Sequence, residues 1–189
     1  VLMSMVSGCA TDTTVADKRI QPAKQMAAAK RTQPAKQKAA TKPAQPAKQK
    51  QMKPAERYAN YLKMGTAAYN ARRYSEAIEY YSEAANISEY WPTGQWFANS
   101  LSEIGKVYNR QAQYEKALEY YSKALEIRKK VLGEEHADTA ISYYNLGLVY
   151  RSLGNYTKSE PLLLKALEAR KKVFGEEHRS TAETYSSLG

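Results

Sequence analysis

The chain has 189 residues with 29 Lys or Arg, 19 Asp or Glu, a net charge of +10 and a single cysteine. This length suits one ordinary domain or a short array. The lone Cys9 excludes an intrachain disulfide, and no run of 18 apolar residues exists to make a complete membrane-spanning helix. The charge is unevenly placed: residues 1–53 hold 11 basic residues against Asp12 and Asp17, a net of +9, while the rest holds 18 basic and 17 acidic residues, a net of +1. All 16 Tyr, both Trp and both Phe lie at or beyond Tyr58. A case for nucleic acid built on basicity therefore rests on the N-terminal third alone.

The chain opens on Val1-Leu-Met-Ser-Met-Val-Ser-Gly-Cys9-Ala10, an apolar stretch ending in small residues and followed by polar sequence. It resembles the end of a signal peptide, and Val6-Ser7-Gly8-Cys9 resembles a bacterial lipobox. The resemblance implies that the Cys9 thiol receives a diacylglyceryl group and that cleavage leaves Cys9 as the new N-terminus. Ser7 and Gly8 are the small residues a signal peptidase accommodates. The charged segment that usually precedes the apolar core is missing, which fits an N-terminal truncation. Ala10 in place of Asp implies sorting to the outer membrane. Residues 1–9 are thus expected to be a truncated lipoprotein signal, and the mature chain to be lipid-anchored in the bacterial envelope, facing the periplasm, in preference to the cytoplasm.

Residues 10–57 carry a short repeat: Gln21-Pro-Ala-Lys-Gln25, Gln33-Pro-Ala-Lys-Gln37 and Gln45-Pro-Ala-Lys-Gln49. The segment is nearly free of aromatic and branched apolar residues and buries too little surface to offset its ordering entropy. Ala, Lys and Gln favour helix, but Pro22, Pro34, Pro43, Pro46 and Pro54 interrupt it. The expectation is a disordered spacer, roughly 40 Å across as a coil and about 150 Å when extended. Its lysines could instead hold an anionic polymer, lipid head groups or nucleic acid. No aromatic residue interleaves them to stack on bases, which argues against nucleic acid.

From residue 58 the sequence repeats itself. Gly65, Gly105, Gly147 and Gly189 are spaced by 40, 42 and 42 residues. Around them recur Ile104-Gly105-Lys-Val-Tyr108 and Leu146-Gly147-Leu-Val-Tyr150. Downstream come Tyr74-Ser-Glu-Ala77-Ile-Glu-Tyr80-Tyr81, Tyr114-Glu-Lys-Ala117-Leu-Glu-Tyr120-Tyr121 and Tyr156-Thr-Lys-Ser159-Glu-Pro-Leu162-Leu163. Apolar residues at i, i+3, i+4 and i+7, as in Ala117, Tyr120, Tyr121, Ala124 and Leu125, mark helices. Helices are expected near 58–71, 74–88, 97–111, 114–132, 138–152, 156–173 and 180–189. Gly in each first helix and Ala in each second allow close approach, with Tyr and Leu filling the space between. Ile127-Arg-Lys-Lys-Val131-Leu132-Gly133-Glu-Glu-His136 returns as Ala169-Arg-Lys-Lys-Val173-Phe174-Gly175-Glu-Glu-His178. Gly133 and Gly175 suit left-handed C-terminal caps, with the lysines opposing the helix dipole. Asp138 and Ser180 are expected as N-caps, Ser180 and Glu183 as a capping box.

These signatures resemble the tetratricopeptide repeat, and the 42-residue spacing is similar to its kinesin-light-chain-like subgroup. The resemblance implies an all-α solenoid of helical hairpins winding as a right-handed superhelix, over residues 58–189. It would contain three repeats and the first helix of a truncated fourth. Ser159 stands where the pattern has Ala, Leu163 where it has an aromatic, and Ala137 and Arg179 where the subgroup often has Pro.

The chemistry of catalysis is sparse. His136 and His178 occupy equivalent loops a repeat apart and read as structural, not as a metal pair. Glu134, Glu135, Glu176 and Glu177 read as solvated charge. There is no phosphate-binding glycine loop, nucleophile elbow or metal-spaced Cys/His cluster, so no catalytic residue, cofactor or metal is expected. The resemblance implies instead a concave groove lined by the first helices, taking a protein or peptide ligand. Carried over, this gives Asn99, Ser102, Lys106, Asn109 and Arg110 from the second repeat, and Tyr144, Asn145, Leu148 and Arg151 from the third. Asn can hold a peptide backbone, and Lys106, Arg110 and Arg151 favour an acidic or C-terminal carboxylate ligand. Trp91 and Trp96, beside Pro92 and Gly94, read as packing in the first inter-repeat linker. The expected function is a membrane-anchored scaffold in an envelope complex. The alternatives are a regulatory region of a longer protein with an effector beyond residue 189, or anionic-polymer binding through the tail.

Overall fold

The computed structural model describes residues 52–189; the expectations for the signal segment, Cys9 and the tail up to residue 51 lie outside the described residues. Among the described residues there are seven helices and no strand: α1 (Pro54–Asn70), α2 (Tyr74–Ser88), α3 (Gln95–Arg110), α4 (Tyr114–Leu132), α5 (Ala137–Ser152), α6 (Tyr156–Phe174) and α7 (Arg179–Leu188). Each packs on the next in sequence, giving three hairpins and a seventh helix stacked as a solenoid. The expected helices are found within a few residues of their predicted ends, apart from the start of α1. That helix begins at Pro54, inside the stretch expected to be spacer. Proline is an obstacle within a helix but fits its first position, where the missing N–H has no partner to lose.

The glycine phase sets the distance between helices. A Cβ on Gly65 would lie 2.5 Å from Tyr81 Cε1, on Gly105 3.0 Å from Tyr121 Cδ1, and on Gly147 2.7 Å from Leu163 Cγ. In each hairpin, therefore, the inward residue of the second helix rests against bare backbone of the first. Ala68, Ala77, Tyr81, Ile104 and Val107 form one buried cluster at the first hairpin boundary, and Ala117, Tyr121, Leu146 and Val149 form its counterpart at the next. The Ser159 departure has a physical reason: its buried hydroxyl donates to the Gly147 carbonyl at 2.7 Å. A polar atom is thereby satisfied where the other repeats place Ala77 and Ala117.

Each hairpin turns through three residues. The N–H groups of Arg73, Gln113 and Asn155 donate to the carbonyls of Ala68, Tyr108 and Tyr150, each at 2.9 Å. This six-to-one bond requires a positive φ at the residue before, and Arg72, Ala112 and Gly154 sit at +58°, +56° and +72°.

The loops between hairpins correct two expectations. Gly133 and Gly175 have positive φ (+87° and +89°), but ψ of 169° sends the chain out extended and not into a left-handed cap. This region is essentially confined to glycine. The N-caps are His136 and His178, not Asp138 and Ser180. Each imidazole Nδ1 accepts from the backbone N–H two residues on, at 3.1 Å. An Nδ1 acceptor one bond beyond the ring's Cγ reaches the same N–H that a Ser or Asp oxygen would. Asp138 and Ser180 fall within the first turn. Glu183 makes no capping box and pairs with Arg179 Nε at 3.0 Å.

Candidate functional site

The first helices α1, α3, α5 and α7 lie side by side, joined by a ladder of polar contacts. Tyr58 Oη on α1 donates to the Trp96 carbonyl of α3 at 3.0 Å. Gln95 Nε2 on α3 donates to Asp138 Oδ2 on α5 at 3.1 Å. Arg151 Nη1 on α5 donates to the Ser187 carbonyl of α7 at 2.7 Å, and the Tyr144 hydroxyl meets Ser187 Oγ at 3.1 Å. The expected groove residues all lie on this row, but they divide into two sets.

Three make contacts within the array or are packed into it. Asn99 Oδ1 accepts from Arg128 Nη2 at 2.7 Å. Ser102 is 9% exposed, packed out of a ligand's reach. Tyr144 bonds Ser187, and its ring carries the Arg170 guanidinium at 4.2 Å from the centroid. Asn99 and Tyr144 are half-buried and, like the other six, keep access to solvent. Lys106, Arg110 and Arg151 are exposed, while Asn109, Asn145 and Leu148 are half-buried. Lys106 pairs with Glu103 at 3.1 Å and lies 4.8 Å from the Tyr69 ring centroid, so one acid already meets its charge. The accessible residues thus combine three cations (Lys106, Arg110, Arg151) with amide and apolar side chains.

The residues that the sequence reading missed are Arg128 and Arg170. Both are 5% exposed. Arg128 Nη1 donates to the Asp138 carbonyl at 3.2 Å and to Ser142 Oγ at 2.7 Å, tying α4 to α5. Arg170 Nη1 makes the same pair of bonds to the Ser180 carbonyl and Thr184 Oγ1, both at 2.7 Å, tying α6 to α7. Burial disfavours the charged form of each and pushes the guanidinium pKa down; for Arg128 the nearby Asp138 and Glu103 oppose this. A cation held by carbonyl and hydroxyl dipoles is geometrically demanding, so these side chains fix how one hairpin meets the next. The signal was available. Arg128 follows Tyr121 by seven residues and Arg170 follows Leu163 by seven, the spacing of the inward face.

Burial pushes the Tyr81 phenol up to about 12, against the pull of its bond with Thr66 Oγ1 at 3.2 Å. Three of the four loop carboxylates are paired: Lys129 with Glu134 at 2.6 Å, Lys172 with Glu135 at 2.5 Å, and Lys171 with Glu176. Among the described residues no three His, Cys, Asp or Glu side chains gather as metal ligands would. No described helix is long and apolar enough to cross a membrane. Trp91 and Trp96 do pack the first linker: their rings lie 5.4 and 5.2 Å from that of Tyr58.

Comparison with known proteins agrees with this geometry. The tetratricopeptide-repeat family model matches residues 96–158 and 143–189. No curated protein matches the sequence. Among solved structures, the apo form of RapI is similar at a TM-score of 0.64 and 25% identity, over 70% of this chain and 47% of that one. The kinesin-light-chain TPR-like repeats of Podosopora anserina superpose at a TM-score of 0.63 and 20% identity, over 72% of this chain and 65% of theirs. The Arabidopsis FLU TPR domain gives 0.57 and 17%, over 64% of this chain and 99% of that domain. At these identities the last two establish the fold alone. The chain spans about half of RapI and about two thirds of the Podosopora protein.

Proposed function

We propose, for a chain that carries tetratricopeptide repeats, that it is a membrane-anchored scaffold holding a protein partner in a bacterial envelope complex. Tetratricopeptide arrays are in general protein-interaction scaffolds; the anchoring and the compartment are the proposed part. The observation that carries the partner site is the accessible half of the first-helix row. Arg110 and Arg151 are exposed, Arg151 spends one of its donors on α7, and Asn109, Asn145 and Leu148 are half-buried on the same two helices. Exposed cations together with amide and apolar groups suit an extended acidic segment or a C-terminal carboxylate. The anchoring rests on Val6-Ser7-Gly8-Cys9 and on the Lys/Pro/Ala/Gln-rich stretch after it, which is long enough to hold the array off a bilayer.

A photo-crosslinking residue at position 110 of the full chain, expressed behind a lipoprotein signal sequence, tests both halves. Crosslinks to one protein species should form in membrane fractions, and should be lost when Arg151 is changed to Glu. A crosslinker at position 131, on a second helix, should not reproduce them. Cys9→Ser should move the chain to the soluble fraction. Crosslinking that ignores Arg151, or membrane fractionation that ignores Cys9, would overturn the corresponding half.

A further inference from the structure

Two corresponding grooves differ in whether a second ring covers the first. In the second repeat, Tyr120 on α4 lies on Tyr108 of α3, with ring centroids 5.5 Å apart and planes 22° from parallel. One repeat later, 42 residues on, the same positions hold Tyr150 and Leu162. Lys158 lies 5.6 Å from the Tyr150 centroid, as Lys116 lies 5.1 Å from that of Tyr108. The floor tyrosine and its cation are therefore retained, and only the second ring is absent. In its place α4, α5 and α6 frame an open cavity of about 470 Å³, lined by Leu125, Leu146, Tyr150, Thr157, Pro161 and Leu162. Pro161 replaces the Glu119 of the preceding repeat and has no N–H for the Thr157 carbonyl one turn back. The cavity thus combines these apolar walls with one aromatic face, and Ser122, Glu126 and Lys158 complete its lining.

We propose that this cavity takes an aromatic side chain of a partner protein, of tyrosine size. The ring lies against Tyr150 as Tyr120 lies against Tyr108. Offset stacking and removal of apolar wall from water both favour a planar ring over a branched aliphatic one. None of the nine residues named for the first-helix groove lines this cavity, so the proposal does not depend on that site.

The probe is N-acetyl-tyrosinamide, titrated into the full chain with its leucine methyls labelled. The methyls of Leu125, Leu146 and Leu162 should shift saturably, with a dissociation constant on the order of 1–10 mM for so small a ligand, while those of Leu101 stay still. Leu162→Tyr supplies the missing ring from within and should reduce the Leu125 shift at least fivefold. Tyr150→Ala removes the platform and should weaken binding by a similar factor; it decides the matter if circular dichroism shows Leu162→Tyr misfolded. Non-saturating shifts, equal affinity for N-acetyl-leucinamide, or binding undiminished in a folded variant would overturn the proposal.

Discussion

At the α1–α3 junction the carbonyl of Trp96 takes its hydrogen bond from the Tyr58 hydroxyl. At the two later junctions the carbonyls of Asp138 and Ser180, 42 residues apart, take theirs from Arg128 and Arg170. The hydroxyl one turn on is kept throughout, as Ser100, Ser142 and Thr184, and each donates to the same carbonyl as its junction's outside donor. In the first hairpin the position of the arginine is held by Ser88, which is fully buried and donates back into its own helix. The solenoid thus needs a donor from outside at the start of each incoming first helix. The first junction supplies it with an aromatic cluster of Tyr58, Trp91 and Trp96, and the later ones with a buried cation.

The difference is testable because the two solutions fail differently. Arg128→Met keeps length and apolar stem but leaves Asn99 Oδ1 without its donor and weakens the hold on Asp138. The expected loss is about 2–4 kcal/mol, a fall of about 6–15 °C in melting temperature for an array of this size. A melting temperature within 2 °C of the wild type would show that the cation contributes no net stability. Arg170→Met should lose less, about 1–2 kcal/mol, because Arg170 makes two hydrogen bonds where Arg128 makes three. Hydrogen exchange should place that loss in residues 179–188 and leave α3 and α4 protected; a uniform loss would mean that the last junction is not an independent unit.

How much of this was legible in the sequence follows the same division. Helix phase was plain, because Gly65, Gly105 and Gly147 and the aromatic or leucine opposite each recur in register, and that pattern is a direct image of backbone contact. Arg128 and Arg170 recur equally well. A helix-terminal Arg-Lys-Lys, however, reads first as charge opposing the dipole, and the burial of one of three cations depends on a neighbouring hairpin that local pattern does not contain. The groove residues suffered likewise. Asn99 and Tyr144 face the expected side, yet both are engaged by arginines arriving from second helices. His136 and His178 escaped as caps because an imidazole nitrogen at the N-cap is a rarer acceptor than the Asp or Ser oxygen two residues away.

Tyr58→Phe probes the aromatic solution with a milder change. The ring stays against Trp91 and Trp96, and Ser100 Oγ still reaches the Trp96 carbonyl at 3.2 Å. Only the phenol's bond is lost, worth about 1 kcal/mol. A loss as large as that of Arg128→Met would show that the hydroxyl, and not the ring cluster, holds the first junction.

The smallest expected effect concerns the hairpin turns, where the third repeat differs from the first two. All three turns need a positive φ before the six-to-one hydrogen bond, but only the third has glycine there, Gly154, while the others impose it on Arg72 and Ala112. An L residue in this region carries strain of about 1 kcal/mol from its Cβ against the following carbonyl. Ala112 is exposed, so its methyl gains little from packing in return. Ala112→Gly should therefore raise stability by about 0.5–1 kcal/mol, after the extra unfolded-state freedom of glycine is subtracted. The reverse change, Gly154→Ala, should lower it by a similar amount, since a Cβ there meets nothing within 4 Å and the effect is backbone strain alone. Matched changes of opposite sign, read from denaturant midpoints at constant slope, would show that the three turns are one structure with two residue solutions. If Ala112→Gly is destabilising, the second turn is held by something its methyl supplies, and the equivalence of the repeats stops at the backbone.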